Sequence, residues 1–508
     1  MQITSRSFKK GLWLSQGCVG KYLRYSSENN TMDSGHIDKS HQRSYGTGGI
    51  DLDFESNNPI LQTIPNSPLH EIIDAAKIKE KNELNSLGTL PELSLDEHKW
   101  HKTSLGIGYM LAMGVCGVVL VALGSSLEDL AENIGLESTD IGTVFIARGV
   151  GAIFGAVISA KIYRWFPGNL VMTIALTLII VLLLSLPFNK SYIILHVYFL
   201  FLGLGTAVTD TGCQIMTRKV HGKKAGPWLG ANTVAFGISG ALVPLIAIIT
   251  GSLVLQYYIL SALIAAITIF IFFGPNPDKL GMSGQPAGAP RNNEPRKKVP
   301  HYNVEIMLGC MVFCLIGGKV TSTAYLSTYV DDTGVIDTSN ESGLVLVLWI
   351  AITIGRLAGV YDQRFLTNVT LPVHLSIFLI GGFLSMLLIL WFPNNGPVLW
   401  IGVAFYGLFN GPCVGYCYDL NNRITLPSEK SMAIVMFGLN FGASLVPYLN
   451  SVIWTATGSP KTLIVTIFLS MFLPLPLLHM VKYVSYDETY NPLLRKEPKY
   501  DALPQNDA

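Results

Sequence analysis

The chain has 508 residues, of which 50% are hydrophobic and only 14% charged, against roughly 25% charged in an ordinary soluble domain. Lys+Arg 35 balances Asp+Glu 34, which excludes a basic nucleic-acid binder and an acidic solvating chain. A mean hydropathy of +0.42 leaves too few polar residues to cover a water-soluble globule, so the composition is that of a polytopic membrane protein.

Residues 1–102 hold 25 of the charged side chains and no apolar run long enough to cross a bilayer; they are expected to be a polar, largely disordered cytosolic region. Its first 27 residues carry five basic and no acidic side chains. They resemble a transit peptide or a membrane-surface segment, and are read here as a disordered basic tail. From 103 onward, runs of about 20 apolar residues, the length that spans hydrocarbon, recur twelve times: 104–126, 140–162, 168–187, 191–216, 227–250, 253–273, 304–330, 342–361, 371–392, 398–420, 431–456 and 461–482. Residues 274–302, rich in Gly, Pro and charge, form a flexible cytosolic linker. They divide a first bundle of six spans, 103–273, from a second, 303–482, which a cytosolic tail follows at 483–508. In that tail YNPL (490–493) and YDAL (500–503) resemble tyrosine-based endocytic signals, which implies adaptors reading Tyr490 and Tyr500 and residence in the plasma or an endosomal membrane. Six of the seven cysteines (Cys116, Cys213, Cys310, Cys314, Cys413, Cys417) lie inside apolar runs and only Cys18 outside, so neither a disulfide framework nor a zinc site is indicated.

Orientation follows from Lys and Arg in the short loops. One side carries Lys161, Arg164, Arg218, Lys219, Lys223, Lys224, Arg364, Arg423 and Lys430 together with the basic linker; the other carries only Lys190 and Lys461. The second set of loops is acidic, with Glu128, Asp129, Glu132, Glu137 and Asp140 in the first and Asp331, Asp332, Asp337 and Glu341 in a later one. Both termini are expected in the cytosol.

The halves repeat. FGISGALVPLI (236–246) matches LNFGASLVPYL (439–449) 203 residues on, and the Gly151/Gly155 pair of the second span matches Gly355/Gly359 of the eighth 204 residues on. Pro244 and Pro447 fall at equivalent places and permit bends, while the glycine pairs let helices approach closely. Two six-helix halves in parallel repeat, joined by a polar linker, describe an all-α membrane protein of the major facilitator fold, with 12 transmembrane helices in two six-helix bundles that rock about a central site.

Particular motifs agree. GRLAGVYDQRF (355–365) resembles the major facilitator loop signature. LGSSLEDLAENIG (123–135), FIARGVGAIFGAVI (145–158) and TDTGCQIM (209–216) resemble the sodium-dependent glucose transporter branch, eukaryotic relatives of the fucose–proton symporters. The resemblance covers most of 105–480. It implies secondary transport of a small polar solute, a hexose-type sugar above all, by alternating access, and places Asp210 where those symporters carry their coupling acid. Their second acid, on the first helix, has no counterpart, because 104–126 carries no charge.

Charged groups inside a span cost about 2.5–3.5 kcal/mol each on insertion scales, so each must face protein or water. Arg148, Asp210 and Lys319 stand well inside. Thr206, Asp210 and Gln214, at i, i+4 and i+8, form one polar stripe on the fourth helix; hydroxyl, carboxylate and amide suit a polyol that both donates and accepts. Asp210 is the candidate coupling acid, for Na+ or H+, or belongs to a structural ion pair. Lys319 is a departure from the branch, which tends to carry Glu or Gln after the Gly pair. Facing Asp210 across the cavity it would substitute for the coupling cation and leave a facilitator; alternatively Lys319 and Arg148 bind a small organic anion. Arg148 lines the outer cavity or braces the first loop. Arg356 with Asp419, and Asp419 with Arg423, are the expected cytosolic gate, with Asp362 beside them. Asn232, Tyr325, Asn410 and Asn440 stand at cavity depth as further substrate contacts, with helix–helix hydrogen bonding the alternative, and Trp228 and Phe236 offer stacking faces. No nucleophile–base pair, phosphate loop or metal cluster stands out, so neither an enzyme nor a cofactor is expected. A receptor on the same fold that binds without turnover remains the other class.

Overall fold

The computed structural model describes residues 95–222, 225–275, 277, 302–367, 370–424 and 429–484. The basic N-terminal segment, nearly all of the linker and the two tail tyrosine motifs lie outside the described residues.

Among the described residues, twelve helices are long and apolar enough to cross a membrane. They are Leu95–Ser125, Thr143–Trp165, Gly168–Ser185, Tyr192–His221, Ala225–Thr250, Leu253–Phe272, Tyr302–Thr333, Glu341–Asp362, Thr370–Trp391, Gly396–Ile424, Glu429–Thr457 and a twelfth in two pieces, Lys461–Phe472 and Pro474–Val484; we call them spans one to twelve. In hydrocarbon only a helix satisfies its own backbone, which is why each apolar run closes into one. Several helices outrun the apolar runs that predict them. Span one starts at Leu95, inside the stretch read as polar tail, and span four continues five residues past 216 to His221. At 1.5 Å per residue the 30 residues of span four reach about 45 Å, beyond a core of roughly 30 Å. Its backbone bonds persist after the side chains turn basic, at Arg218, Lys219 and His221. The break in span twelve falls at Leu473, where Pro474 brings no amide proton to continue the ladder.

The sequence repeat is a packing repeat. A Cβ on Gly151 or Gly155 would run into the span-four backbone at Leu200 and Leu204, and one on Gly355 or Gly359 would meet Leu408 and Pro412 of span ten. The facing glycines, Gly203 and Gly407, are themselves 204 residues apart and touch Arg148 and Leu348 in return. Gly114 packs on Ser239 of span five, and Gly317, 203 residues on, packs on Gly442 and Val446 of span eleven. Spans five and eleven both end on a glycine with positive φ, Gly251 at 57° and Gly458 at 60°, a conformation that side chains with a Cβ resist.

Spans one to six and seven to twelve therefore form two bundles, which meet along spans five and eight, two and eleven, and one and seven. Spans four and ten each pack within their own half and hardly touch each other. The end of the molecule where span one starts, span six ends and span seven starts is called the linker side, and the opposite end the distal side.

Candidate transport site

The span-four stripe is present, and its members differ. Thr206 is buried and its hydroxyl donates to its own helix, to the carbonyls of Leu202 at 2.8 Å and Gly203 at 3.0 Å. Asp210 and Gln214 are half-buried, and Gln214 Nε2 donates to Asp210 Oδ1 at 3.2 Å. That bond leaves the second carboxylate oxygen and the amide oxygen for a solute. Two residues from other helices join them: the Cys116 thiol of span one, which donates to the Thr206 carbonyl at 3.6 Å and lies within electrostatic reach of both Asp210 and Arg148, and Tyr418 of span ten, within reach of Asp210. Arg148 thus lies within electrostatic reach of Cys116, which borders the span-four stripe. Among the described residues Asp210 forms no ion pair, and the Nε of Arg148 has no hydrogen-bond partner.

Lys319 is elsewhere. It is 1% exposed within the second bundle, and its Nζ has no hydrogen-bond partner among the described residues. The groups acting on it through space are Arg356, a second cation, and the Cys413 thiol. Asp210 and Lys319 therefore make no ion pair in this conformation, contrary to the expected facing arrangement. The 203-residue repeat explains the offset: Lys319 occupies in span seven the register that Cys116 occupies in span one.

The expected gate is partly rearranged. Arg423 Nη2 and Asp419 Oδ2 form an ion pair at 2.7 Å, and Arg423 Nη1 also donates to the Leu366 carbonyl at 2.9 Å. Arg356 does not reach Asp419. Its Nη1 donates to the Thr233 carbonyl of span five at 2.9 Å and its guanidinium lies 4.8 Å above the Phe236 ring, so it ties one half to the other. The reason is chemical: Asp419 already has Arg423 one turn away, while the second lone pair of a helix carbonyl and a ring face are open to Arg356. Asp362 accepts from the Tyr416 hydroxyl at 3.4 Å.

The remaining asparagine candidates bond to protein, two of them between helices and one within its own. Asn232 Nδ2 donates to Thr217 Oγ1 at 3.3 Å, joining spans five and four; Asn410 Nδ2 reaches the Leu315 carbonyl at 3.4 Å and Met471 Sδ at 3.3 Å; Asn440 bonds its own helix at Met436. Both proposed stacking rings have protein partners: Trp228 lies on His221, with 4.4 Å between ring centres, and Phe236 takes Arg356 and Trp349. Tyr325 is fully buried between Phe145 of span two and Trp454 of span eleven.

Tyr325 belongs to a seal that the sequence reading missed. On the distal side Ser138 and Thr328 share a hydrogen bond of 2.8 Å, Ser451 donates to the Thr139 carbonyl, and Gly142 and Gly149 let Ser451 and Ser444 of span eleven approach span two. The halves are joined at that end by these hydrogen bonds, while spans four and ten pack mainly within their own halves. The signal was there: Gly142 and Gly149, seven residues apart, lie on one helical face. Also missed is Glu305 near the linker end of span seven, fully buried, neither carboxylate oxygen having a hydrogen-bond partner among the described residues.

Beside the seal stands an acidic group. The short helix Leu127–Glu132 is anchored by buried Leu127, Leu130 and Ala131. Burial first, then Glu341, Asp331, Asp129 and Asp332, push Glu128 up to about 7, and burial with Glu132 also raises Asp129.

A helical membrane protein of two repeated six-helix halves, joined at the distal end and carrying a polar stripe on span four, has the architecture of a carrier. Residues 105–447 match the Major Facilitator Superfamily, and the chain belongs to that superfamily. It is similar to sodium-dependent glucose transporter 1 of Xenopus laevis, 22% identical over 65% of this chain and 72% of that one, and to the Homo sapiens protein of that name, at 21% over 65% and 70%. Protein TsgA of Escherichia coli is 19% identical over 64% and 81%. Among solved structures, a D-xylose-proton symporter aligns with TM-score 0.59 at 12% identity, covering 75% of this chain and 97% of that one, and a mutant of the nucleoside transporter NupG with 0.56 at 14%, covering 75% and 99%. The chain is thus a secondary transporter, not an enzyme, and a multi-pass membrane protein.

Proposed function

We propose that the transported solute is a hexose-type sugar, bound at the Thr206–Asp210–Gln214 stripe and moved by alternating access, with Asp210 as the coupling acid wherever a cation is coupled. The observation that carries this is the Gln214–Asp210 hydrogen bond on a half-buried surface: an orienting amide and a carboxylate with a free oxygen match a polyol's paired donors and acceptors. The relatives named as glucose transporters support the same class. Arg148 and Cys116 complete the first-half wall, and Arg356, Asp362, Asp419 and Arg423 govern opening on the linker side. Because the linker side carries most Lys and Arg, we place it and both termini in the cytosol, with Tyr490 and Tyr500 available to endocytic adaptors in a plasma or endosomal membrane.

A second reading rests on Lys319, a buried lysine whose Nζ has no hydrogen-bond partner among the described residues: a small organic anion would supply one. Uptake of labelled hexoses and organic anions, with and without sodium and a pH gradient, tests both. Saturable hexose uptake lost in Asp210→Asn supports the first; uptake confined to anions and lost in Lys319→Met replaces it with the second.

A further inference from the structure

The distal seal joins the halves by hydrogen bonds while gathering like charges from both of them. Glu128 and Asp129 come from the first half, Asp331 and Asp332 from the end of span seven and Glu341 from the start of span eight. The short helix that carries Glu128 packs against span seven, and its buried Leu127, Leu130 and Ala131 keep the carboxylate from swinging away. Glu128 Oε2 is buried and has no hydrogen-bond partner among the described residues. The groups acting on Glu128 are Asp129 of its own helix, Asp331 and Asp332, and Glu341; none is a cation. Tyr257 of span six stands beside the same helix but is engaged with Ser126 at 2.7 Å. The sealed distal end thus holds a half-buried carboxylate, one of whose oxygens is shut away from water and has no hydrogen-bond partner among the described residues, near three carboxylates of the opposite half.

We propose that a proton on Glu128 holds the distal seal shut, and that its loss drives the two halves apart at that end. Protonation removes the charge that burial and the facing acids oppose. It also supplies a donor, which suits a site crowded with acceptors. The seal then reads the pH of the compartment that the distal side faces.

The direction follows from linkage. In the sealed state Glu128 titrates at about 7; once the halves part it regains water and returns toward its ordinary value of 4.5. The sealed state binds the proton more tightly. Its advantage is complete below the ordinary value and is lost as pH rises through about 7. Between pH 6 and pH 8 the sealed-to-open ratio falls by at most about tenfold, reduced to several-fold by solvent screening of a half-buried group.

The test needs no substrate, so its outcome is separate from the sugar reading. Spin labels on cysteines introduced at Leu136 and Thr338, one on each half's distal loop, report the separation of the halves in lipid nanodiscs; the full chain is used, with its native cysteines replaced by serine. The short-distance population is expected to fall several-fold from pH 6 to pH 8. Glu128→Gln should hold it at the pH 6 level throughout. Glu341→Gln, which leaves Glu128 in place, should move the midpoint to lower pH, so the test survives a Glu128 variant that fails to fold. Distances that ignore pH in the parent chain, or a pH response that persists unchanged in Glu128→Gln, overturn the proposal.

Discussion

Gln214 Nε2 donates to Asp210 Oδ1 across one turn of span four, 3.2 Å apart, on a half-buried face of that helix. The bond fixes the carboxylate's direction before any solute arrives, which lowers the ordering cost of binding. A hydrogen bond to a charged group contributes about 1.5–3 kcal/mol. Gln214→Ala is therefore expected to weaken apparent solute affinity by roughly tenfold or more while the maximal rate changes little. Concentration-dependent uptake separates the two quantities.

Arg356 crosses between the halves to Thr233 and Phe236. Its replacement by Ala removes a hydrogen bond and a cation–π contact, together about 2 kcal/mol. Faster proteolysis of the linker-side loops and faster entry of thiol reagents at a cysteine placed at Thr233 are expected. Arg356→Lys should recover little, since a lysine lacks the planar fork.

Gly142 sits where a Cβ would strike Ser451 and come within 3.1 Å of the Tyr325 hydroxyl. Gly142→Val should keep the distal end from sealing. Solute binding from the distal side should survive while net uptake falls to background, as equilibrium binding and flux measured on the same vesicles will show.

Among the described residues Lys319 pairs with no carboxylate, and a lone buried ammonium is costly. Lys319→Met, close in volume, is expected to leave thermal stability unchanged or to raise it, by up to about 4 kcal/mol. A large loss of stability would mean that the ammonium has a partner in the resting protein. If Lys319 replaces a coupling cation at another point of the cycle, uptake abolished by Asp210→Asn should partly return in the double variant with Lys319→Met.

Much of the fold was legible because lipid is a strict solvent. Twelve apolar runs closed into twelve helices, and the Gly151/Gly155 and Gly355/Gly359 pairs marked packing against spans four and ten. Helix ends were harder to read, since span four continues through Arg218 and Lys219 into water, where hydropathy no longer reports it. The site was half legible. Spacing alone put Asp210 and Gln214 on one face, as the 3.2 Å bond requires. Spacing within one helix says nothing about the rotation of another, so the partners of Arg356 and the isolation of Lys319 among the described residues escaped it. The seal escaped too, because Ser138, Thr139, Thr328 and Ser451 are ordinary small polar residues until two distant helices meet.

The central claim is that Asp210 serves a solute moving through the chain. Counterflow of labelled glucose in proteoliposomes preloaded with unlabelled sugar tests it most directly, comparing the parent chain with Asp210→Asn. The account predicts transient accumulation of label by the parent and none by the variant, with both proteins reconstituted to the same level. Equal accumulation by the two, or binding of sugar by the parent with no exchange at all, would contradict it.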